Sequence, residues 1–233
     1  MSSYDLTPIG GKVFNEDLKS RSPNTLALSP ILLGGGVFGF DYNTNDTLQS
    51  SIPSQTIRLA LRYGLTAIDT SPFYTIAEEV LGKALEDIRD EFPRESYQII
   101  TKAGRYGRTK AEGFDYSPEK IRKSINESMR LLKTDYLDGV YMHDVEFVSE
   151  QVADAGEEGW KVGKASGELS QEDLDKWGLK EGDEGKILGP GDQKVLDAMR
   201  TLFELKKEGV IRCVGFSGQS SLRSLDYSLQ AVN

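Results

Sequence analysis

The feature that most constrains the fold is a regular alternation of apolar, strand-like segments with segments of helical periodicity. The predicted strands are residues 31–37, 66–70, 97–103, 137–143 and 210–217. Helices are predicted at residues 54–63, 76–88, 118–133 and 192–207, where apolar side chains recur three and four positions apart. This alternation is typical of βα units around a parallel sheet, because parallel strands need a crossover that is usually a helix. The sequence therefore predicts an α/β protein.

Two residues predict where helices begin and end. Ser117 precedes Pro118, which is the usual order of a capping residue followed by proline at the first helical position. Gly209 follows the last predicted helix, where a left-handed residue is tolerated. Strand 210–217 should follow at once.

Composition excludes several classes of protein. A net charge of -9 disfavours a nucleic-acid surface, which needs clustered lysine and arginine. No apolar run approaches the roughly 18 residues of a membrane helix, and the first residues lack the features of a signal peptide. The single cysteine, Cys213, suits a buried strand and allows no intrachain disulfide. We expect a soluble cytoplasmic protein that binds neither nucleic acid nor membrane, with its oligomeric state left open.

One segment, residues 149–192, breaks the alternation because it is acidic and rich in glycine. We interpret it as an inserted loop. Since it follows strand 137–143, it should emerge on the face where a parallel barrel keeps its active site. A lid over a substrate is one interpretation; an acidic excursion at the surface is the favoured one.

A glycine-rich segment, residues 34–39, satisfies the pattern GxGxxG. In a doubly wound dinucleotide-binding fold this pattern opens directly into a helix, with an acidic residue about 20 positions later. Here a turn-like polar stretch follows, which disfavours that fold. The glycines could still let a cofactor ring approach the backbone.

Four polar side chains lie at or just after the ends of predicted strands: Asp69, Tyr74, Lys102 and His143, the only histidine. Each alone has a structural explanation, as a cap, a snorkelling lysine or a satisfied core histidine. Together they form a proton-transfer set, because an adjacent ammonium favours the phenolate form of a tyrosine and a carboxylate orients the ammonium. Strand ends of this kind converge on one mouth only in a barrel.

These residues belong to motifs that resemble the aldo-keto reductases in order and spacing. The motifs are DTSPFY at 69–74, TK at 101–102, MHD at 142–144 and GFSG at 215–218. The resemblance implies a (β/α)8 TIM barrel, with Tyr74 as general acid or base, Lys102 tuning it and Asp69 pairing with Lys102. It implies that His143 orients the substrate oxygen and that Ser217 holds the nicotinamide carboxamide of NAD or NADP. The predicted cofactor contacts are Gly36, Val37, Asp69, Ser217 and Gly218, and no metal is expected.

Within that family the motifs are most similar to the D-arabinose and L-galactose 1-dehydrogenases. The resemblance then implies oxidation of the anomeric carbon of an aldose to a lactone. Two alternatives remain: a general NADPH-dependent reductase of aldehydes and ketones, and an inactive fragment or non-enzymatic regulatory subunit.

Residues 1–233 supply only about five of the eight strands of such a barrel. We therefore predict a single partial barrel with two exposed strand edges and an amphipathic helix at 222–232. The corresponding hypothesis is a truncated product or incomplete gene model that binds cofactor poorly by itself.

Overall fold

A computed structural model describes residue 26 and residues 28–109, 113–150 and 186–218. Its strands are β1 (Leu33–Gly34), β2 (Ala67–Asp69), β3 (Gln98–Ala103), β4 (Leu137–His143) and β5 (Ile211–Ser217). The helices are α1 (Asn45–Leu48), α2 (Ile52–Arg62), α3 (Ala77–Asp87), α4 (Pro118–Leu132) and α5 (Pro190–Lys207). Short 3-10 helices lie at Gly35–Phe38, Arg94–Ser96 and Val145–Phe147.

All strand pairs are parallel, and the sheet order β1-β2-β3-β4-β5 is the order of the chain. Successive helices pack on one another: α2 on α3, α3 on α4 and α4 on α5. The predicted α/β class is confirmed, and the arrangement is that of consecutive units of a barrel wall. Because parallel strands share one direction, the carboxyl ends of all five lie along the same edge.

The helices form where the apolar periodicity predicts, since each buries one stripe against the sheet. Side chains of α2 to α5 that are essentially excluded from solvent include Ile57, Leu81, Ile121, Ile125, Leu196 and Leu202. They pack against the apolar residues of the strands in a single core. Gly209 has a φ of 82°, which confirms the predicted helix stop.

Several predicted boundaries are wrong. Only Leu33–Gly34 of segment 31–37 forms a strand, because the backbone turns at Gly35 into a 3-10 helix. A Cβ at Gly35 would lie 2.7 Å from the carbonyl oxygen of Asp69, so the turn depends on glycine. At the insertion, α5 already begins at Pro190, so residues 190–192 are helical rather than part of a loop.

Two predicted residue environments also differ. Ser117 is the N-cap residue of α4 but makes no side-chain capping bond; its backbone N–H instead donates to the Asp115 carboxylate at 2.9 Å. Cys213 is half-buried rather than buried, because β5 has a neighbour on one side only within the described residues. Most of the insertion, residues 151–185, and the helix predicted at 222–232 lie outside the described residues.

A buried carboxyl group, Glu78 on α3, connects three elements behind the sheet. It is 3% exposed and accepts hydrogen bonds from Thr101 of β3 at 2.6 Å and Ser128 of α4 at 3.0 Å. Burial is the largest influence and raises the pKa of Glu78 from 4.5 to about 7. Thr101, which precedes Lys102 on β3, is therefore hydrogen-bonded to a carboxyl group that titrates near neutrality.

We predict that Glu78 makes the free energy of unfolding fall as the pH rises. A carboxyl group with a raised folded-state pKa binds its proton more tightly in the folded protein, so its contribution is full below pH 4.5 and is lost towards pH 7. The shift corresponds to about 3 kcal/mol. The Glu78→Gln variant should not show this decline when the free energy of unfolding is measured by urea denaturation between pH 4.5 and pH 7.

The matched control is Glu79→Gln, because Glu79 is the neighbouring glutamate on α3 with a half-exposed side chain. It should leave the pH profile of the wild type unchanged. Parallel profiles for Glu78→Gln and the wild type would contradict the role given to Glu78.

Within the described part of the chain, no helix combines the length and the apolar character needed to cross a membrane.

Candidate active site

The four residues of the predicted proton-transfer set lie at one end of the sheet. Asp69 is the last residue of β2, Lys102 is the fifth residue of β3, and His143 is the last residue of β4. Tyr74 lies on the loop that follows β2. Because β2, β3 and β4 are adjacent and parallel, their carboxyl ends bring these side chains together.

The ammonium group of Lys102 is at the centre of the cluster. Its Nζ donates to the carboxylate oxygens of Asp69 at 2.7 and 2.9 Å and to the carbonyl oxygen of Thr70 at 3.0 Å. The Tyr74 hydroxyl lies 3.3 Å from the same nitrogen. Lys102 is 5% exposed, so these protein groups replace most of its hydration. The carboxylate compensates its charge and fixes the ammonium against the phenol.

The loop that carries Tyr74 is held by the glycine-rich segment 34–39. Thr75 has a left-handed φ of 56°, and its hydroxyl accepts the backbone N–H of Phe40 at 2.9 Å. A Cβ at Gly39 would collide with the carbonyl group of Tyr74. Glycine is therefore needed at Gly39, as at Gly35, because other parts of the chain's own backbone approach closely there.

His143 is 5% exposed and lies beside the Tyr74 ring, with ring centroids 6.2 Å apart. Its Nδ1 is 3.1 Å from the hydroxyl of Ser71. That hydroxyl oxygen already accepts the backbone N–H of Phe73 at 3.1 Å, so its own hydrogen can be donated to Nδ1. This arrangement favours the tautomer with the proton on Nε2.

The imidazole of His143 is uncharged at neutral pH. Burial, followed by the positive charges of Lys102 and Arg105, lowers the pKa of His143 to about 3. A neutral ring protonated on Nε2 can donate a hydrogen bond to a substrate oxygen but does not supply a proton. Of the two groups, the phenol of Tyr74 is the one with a proton that can be transferred.

The residues predicted to contact the cofactor are more widely separated than the four residues of the proton-transfer set. A Cβ at Gly36 would lie 3.9 Å from the Tyr74 ring, so this glycine borders the cluster, whereas Val37 is 42% exposed. Ser217 ends β5 directly opposite His143, and Gly218 follows it. Gly36 and Ser217 are separated by the three intervening strands, so the described residues do not bring the two halves of the predicted cofactor site into contact.

Sequence reasoning missed three residues that complete the cluster: Ser71, Arg105 and Asp144. Ser71 and Asp144 lie inside the quoted motifs, so their adjacency to assigned residues was the available signal. Arg105 lies three residues after Lys102, and its guanidinium covers the Phe73 ring at 4.0 Å from the centroid. No apolar pattern or motif marks Arg105. Over the described ranges, no group of three or more His, Cys, Asp or Glu side chains could hold a metal ion.

Comparison with known proteins places this geometry in context. Residues 30–229 match the model of the Aldo/keto reductase family. The chain is 46% identical over 123 residues to the D-arabinose 1-dehydrogenase of Saccharomyces cerevisiae. This alignment covers 52% of this chain and 35% of that protein. The chain is also 47% identical over 96 residues to the L-galactose dehydrogenase of Arabidopsis thaliana. This second alignment covers 40% of this chain and 28% of that protein.

Among solved structures, a Pseudomonas aeruginosa protein described as an aldo-keto reductase superposes with a TM-score of 0.54 at 27% identity. The match covers 86% of this chain and 61% of that one. In the two sequence comparisons, this chain matches only about a third of the length of each curated dehydrogenase. The predicted family and barrel-type fold are confirmed.

Proposed function

Because the chain belongs to the aldo/keto reductase family, we propose that it is an NAD(P)-dependent oxidoreductase that converts the anomeric hydroxyl of an aldose to a lactone carbonyl. One observation carries the chemical part of this proposal: the Lys102 ammonium lies 3.3 Å from the Tyr74 hydroxyl while Asp69 holds it from the other side. The names of the two dehydrogenases support the substrate class.

In the oxidation, Tyr74 acts as the base. The Tyr74 oxygen, held 3.3 Å from the Lys102 ammonium, takes the proton of the anomeric hydroxyl as the C=O bond forms. His143 donates the hydrogen on Nε2 to the same substrate oxygen and so orients it. A bound nicotinamide would supply the acceptor for the hydride that leaves the anomeric carbon. In the reverse direction Tyr74 returns the proton as the acid.

The residues present fit a nicotinamide cofactor. A flat ring requires room beside Tyr74, and Gly36 contributes no side chain between the Tyr42 and Tyr74 rings, each of which would lie 3.9 Å from a Cβ at that position. Ser217 makes a long hydrogen bond of 3.4 Å to the Met142 carbonyl, so its hydroxyl can turn to a carboxamide. Gly36, Val37, Asp69, Ser217 and Gly218 are the groups proposed to contact the cofactor.

The test is turnover of the purified 233-residue chain, followed by the absorbance of the reduced nicotinamide. We expect D-arabinose with NAD or NADP to be the better pair and an aromatic aldehyde with NADPH to be the poorer one; turnover with micromolar nucleotide binding would contradict the hypothesis of a truncated product that binds cofactor poorly. Preference for the aldehyde would replace the sugar proposal by that of a general reductase. Failure of both pairs, together with failure to bind either nucleotide, would contradict catalysis by this chain and favour an inactive fragment or a regulatory subunit. Sedimentation would then test for self-association.

A further inference from the structure

A second ion pair, besides that of Lys102 and Asp69, lies beside His143. Arg105 donates through Nη1 to Oδ2 of Asp144. The same carboxylate oxygen lies 3.7 Å from Nε2 of His143. The side chains of Arg105, Asp144 and His143 are 18%, 9% and 7% exposed, so solvent screens these charges weakly.

The backbone that carries Asp144 is fixed next to the histidine. Its backbone has a left-handed φ of 57°, and its N–H donates to the carbonyl oxygen of Ser217 at 2.8 Å, which extends the pairing of β4 with β5. Without a cation, this carboxylate would be a nearby acceptor for the Nε2 hydrogen of His143. It would also favour the imidazolium form.

Arg105 is held in place by rings as well as by charge. Its guanidinium lies 4.0 Å from the centroid of the Phe73 ring, and Phe73 meets the His143 ring edge-on at 5.7 Å. The rings of Phe114 and Phe147 lie within 5.4 and 5.8 Å of the same guanidinium. The arginine Nε is buried and has no hydrogen-bond partner within the described residues, so Asp144 is its anchoring acceptor there.

We propose that Arg105 is a positioning residue that keeps the Asp144 carboxylate paired, so that the His143 ring stays neutral and its Nε2–H is left for the substrate oxygen. This inference rests on the function proposed above for His143. Two other titratable groups act on or lie beside the ring: Lys102 of β3, whose charge acts on the imidazole, and Tyr74, whose ring centroid is 6.2 Å away. Tyr116 donates to the His143 carbonyl oxygen, Asp69 lies against Lys102, and Glu146 acts on Tyr116. Asp69 is paired with Lys102, and Asp144, whose Oδ2 lies 3.7 Å from Nε2 of His143, is the carboxylate that Arg105 pairs.

The test uses the fact that His143 is the only histidine in the sequence. Protein without a histidine tag, labelled with ¹⁵N-histidine, gives one imidazole whose protonation is followed by NMR during a pH titration. In the wild type the ring should remain neutral over the whole range in which the protein is folded. In Arg105→Met, which keeps an apolar stem against the rings, the apparent pKa of His143 should rise by at least about one unit, so that protonation of the ring is seen at the acid end of the range in which the protein is folded.

Two further variants separate charge from packing. Arg105→Met combined with Asp144→Asn should return the histidine towards wild-type behaviour, because the carboxylate released by the first change is neutralised by the second. Arg105→Lys should hold the ring neutral, because it keeps the charge. Arg108→Met is the matched control, since the Arg108 side chain is 66% exposed and pairs with Asp41; it should not alter the titration.

An unchanged titration in Arg105→Met, or a raised pKa that persists in the double variant, would overturn the inference. If Arg105→Met does not fold, Arg105→Gln removes the charge while keeping a donor for Asp144, and the same rise is expected. The measurement needs neither cofactor nor substrate. A normal titration pattern with no turnover would therefore count against the proposed function and leave the role of Arg105 standing.

Discussion

Replacing Tyr74 by phenylalanine is expected to reduce the rate of the chemical step by about 10²- to 10⁴-fold, the usual contribution of a positioned acid or base. The change removes the hydroxyl that lies 3.3 Å from Lys102 and keeps the aromatic ring beside His143. Binding of the nicotinamide should be little affected, because the ring that borders Gly36 remains. Single-turnover rates and nucleotide dissociation constants, measured separately, check the two parts of this prediction.

The control for that experiment is Tyr63→Phe. Tyr63 ends α2 before β2 begins, at the opposite end of the strands from the cluster, and is 48% exposed. It should leave the rate unchanged. A Tyr74→Phe variant that keeps nearly wild-type turnover would remove Tyr74 from the role of acid or base.

Removal of the Asp138 carboxylate is expected to give the largest loss of stability. Asp138 of β4 has a side chain that is 2% exposed and accepts from Arg94 at 2.7 Å, from Arg212 of β5 at 3.0 Å and from the N–H of Ile99 of β3 at 2.9 Å. Both guanidinium groups stack on the Tyr136 ring, at 4.0 and 3.9 Å. One carboxylate therefore joins three strands at the end of the sheet opposite the active site.

In Asp138→Ala, two cations and a buried N–H lose their acceptor. Breaking a buried pair in this way costs about 3 to 5 kcal/mol. We expect a value near the lower limit, because the Arg212 side chain is 39% exposed and water can solvate it. The midpoint of urea unfolding measures the effect.

Asp135→Ala is the matched control for Asp138→Ala. Asp135 is an exposed aspartate three residues earlier on the same connection, so its removal should change the free energy of unfolding by less than about 0.5 kcal/mol. Equal destabilisation by the two substitutions would show that the network at Asp138 contributes nothing specific.

The strands and helices could be predicted to within a few residues because their signals are local. Apolar side chains spaced for one buried helix face, and short apolar runs for buried strands, are written in the sequence of each element. The strand predicted at residues 31–37 was wrong because its end is set by a contact with another strand. The backbone turns at Gly35, where it lies against the carbonyl oxygen of Asp69. A contact between residues 34 positions apart leaves no local pattern.

The sequence also allowed Asp69, Tyr74, Lys102 and His143 to be predicted as neighbours in the candidate site. Parallel strands end at one edge, so polar residues at those ends could be expected to meet. The sequence did not reveal how the charges there are balanced. The pairing of Lys102 with Asp69 and of Arg105 with Asp144 depends on distances between side chains from three separate segments.

The sequence alone thus determined the class of fold, the order of its units and the kinds of chemical group that assemble at the sheet edge, because periodicity and strand direction are properties of each segment. Tertiary structure alone decided the protonation state of His143 and Glu78. Both depend on burial and on neighbouring charges and hydroxyls, which are supplied by residues remote in the chain.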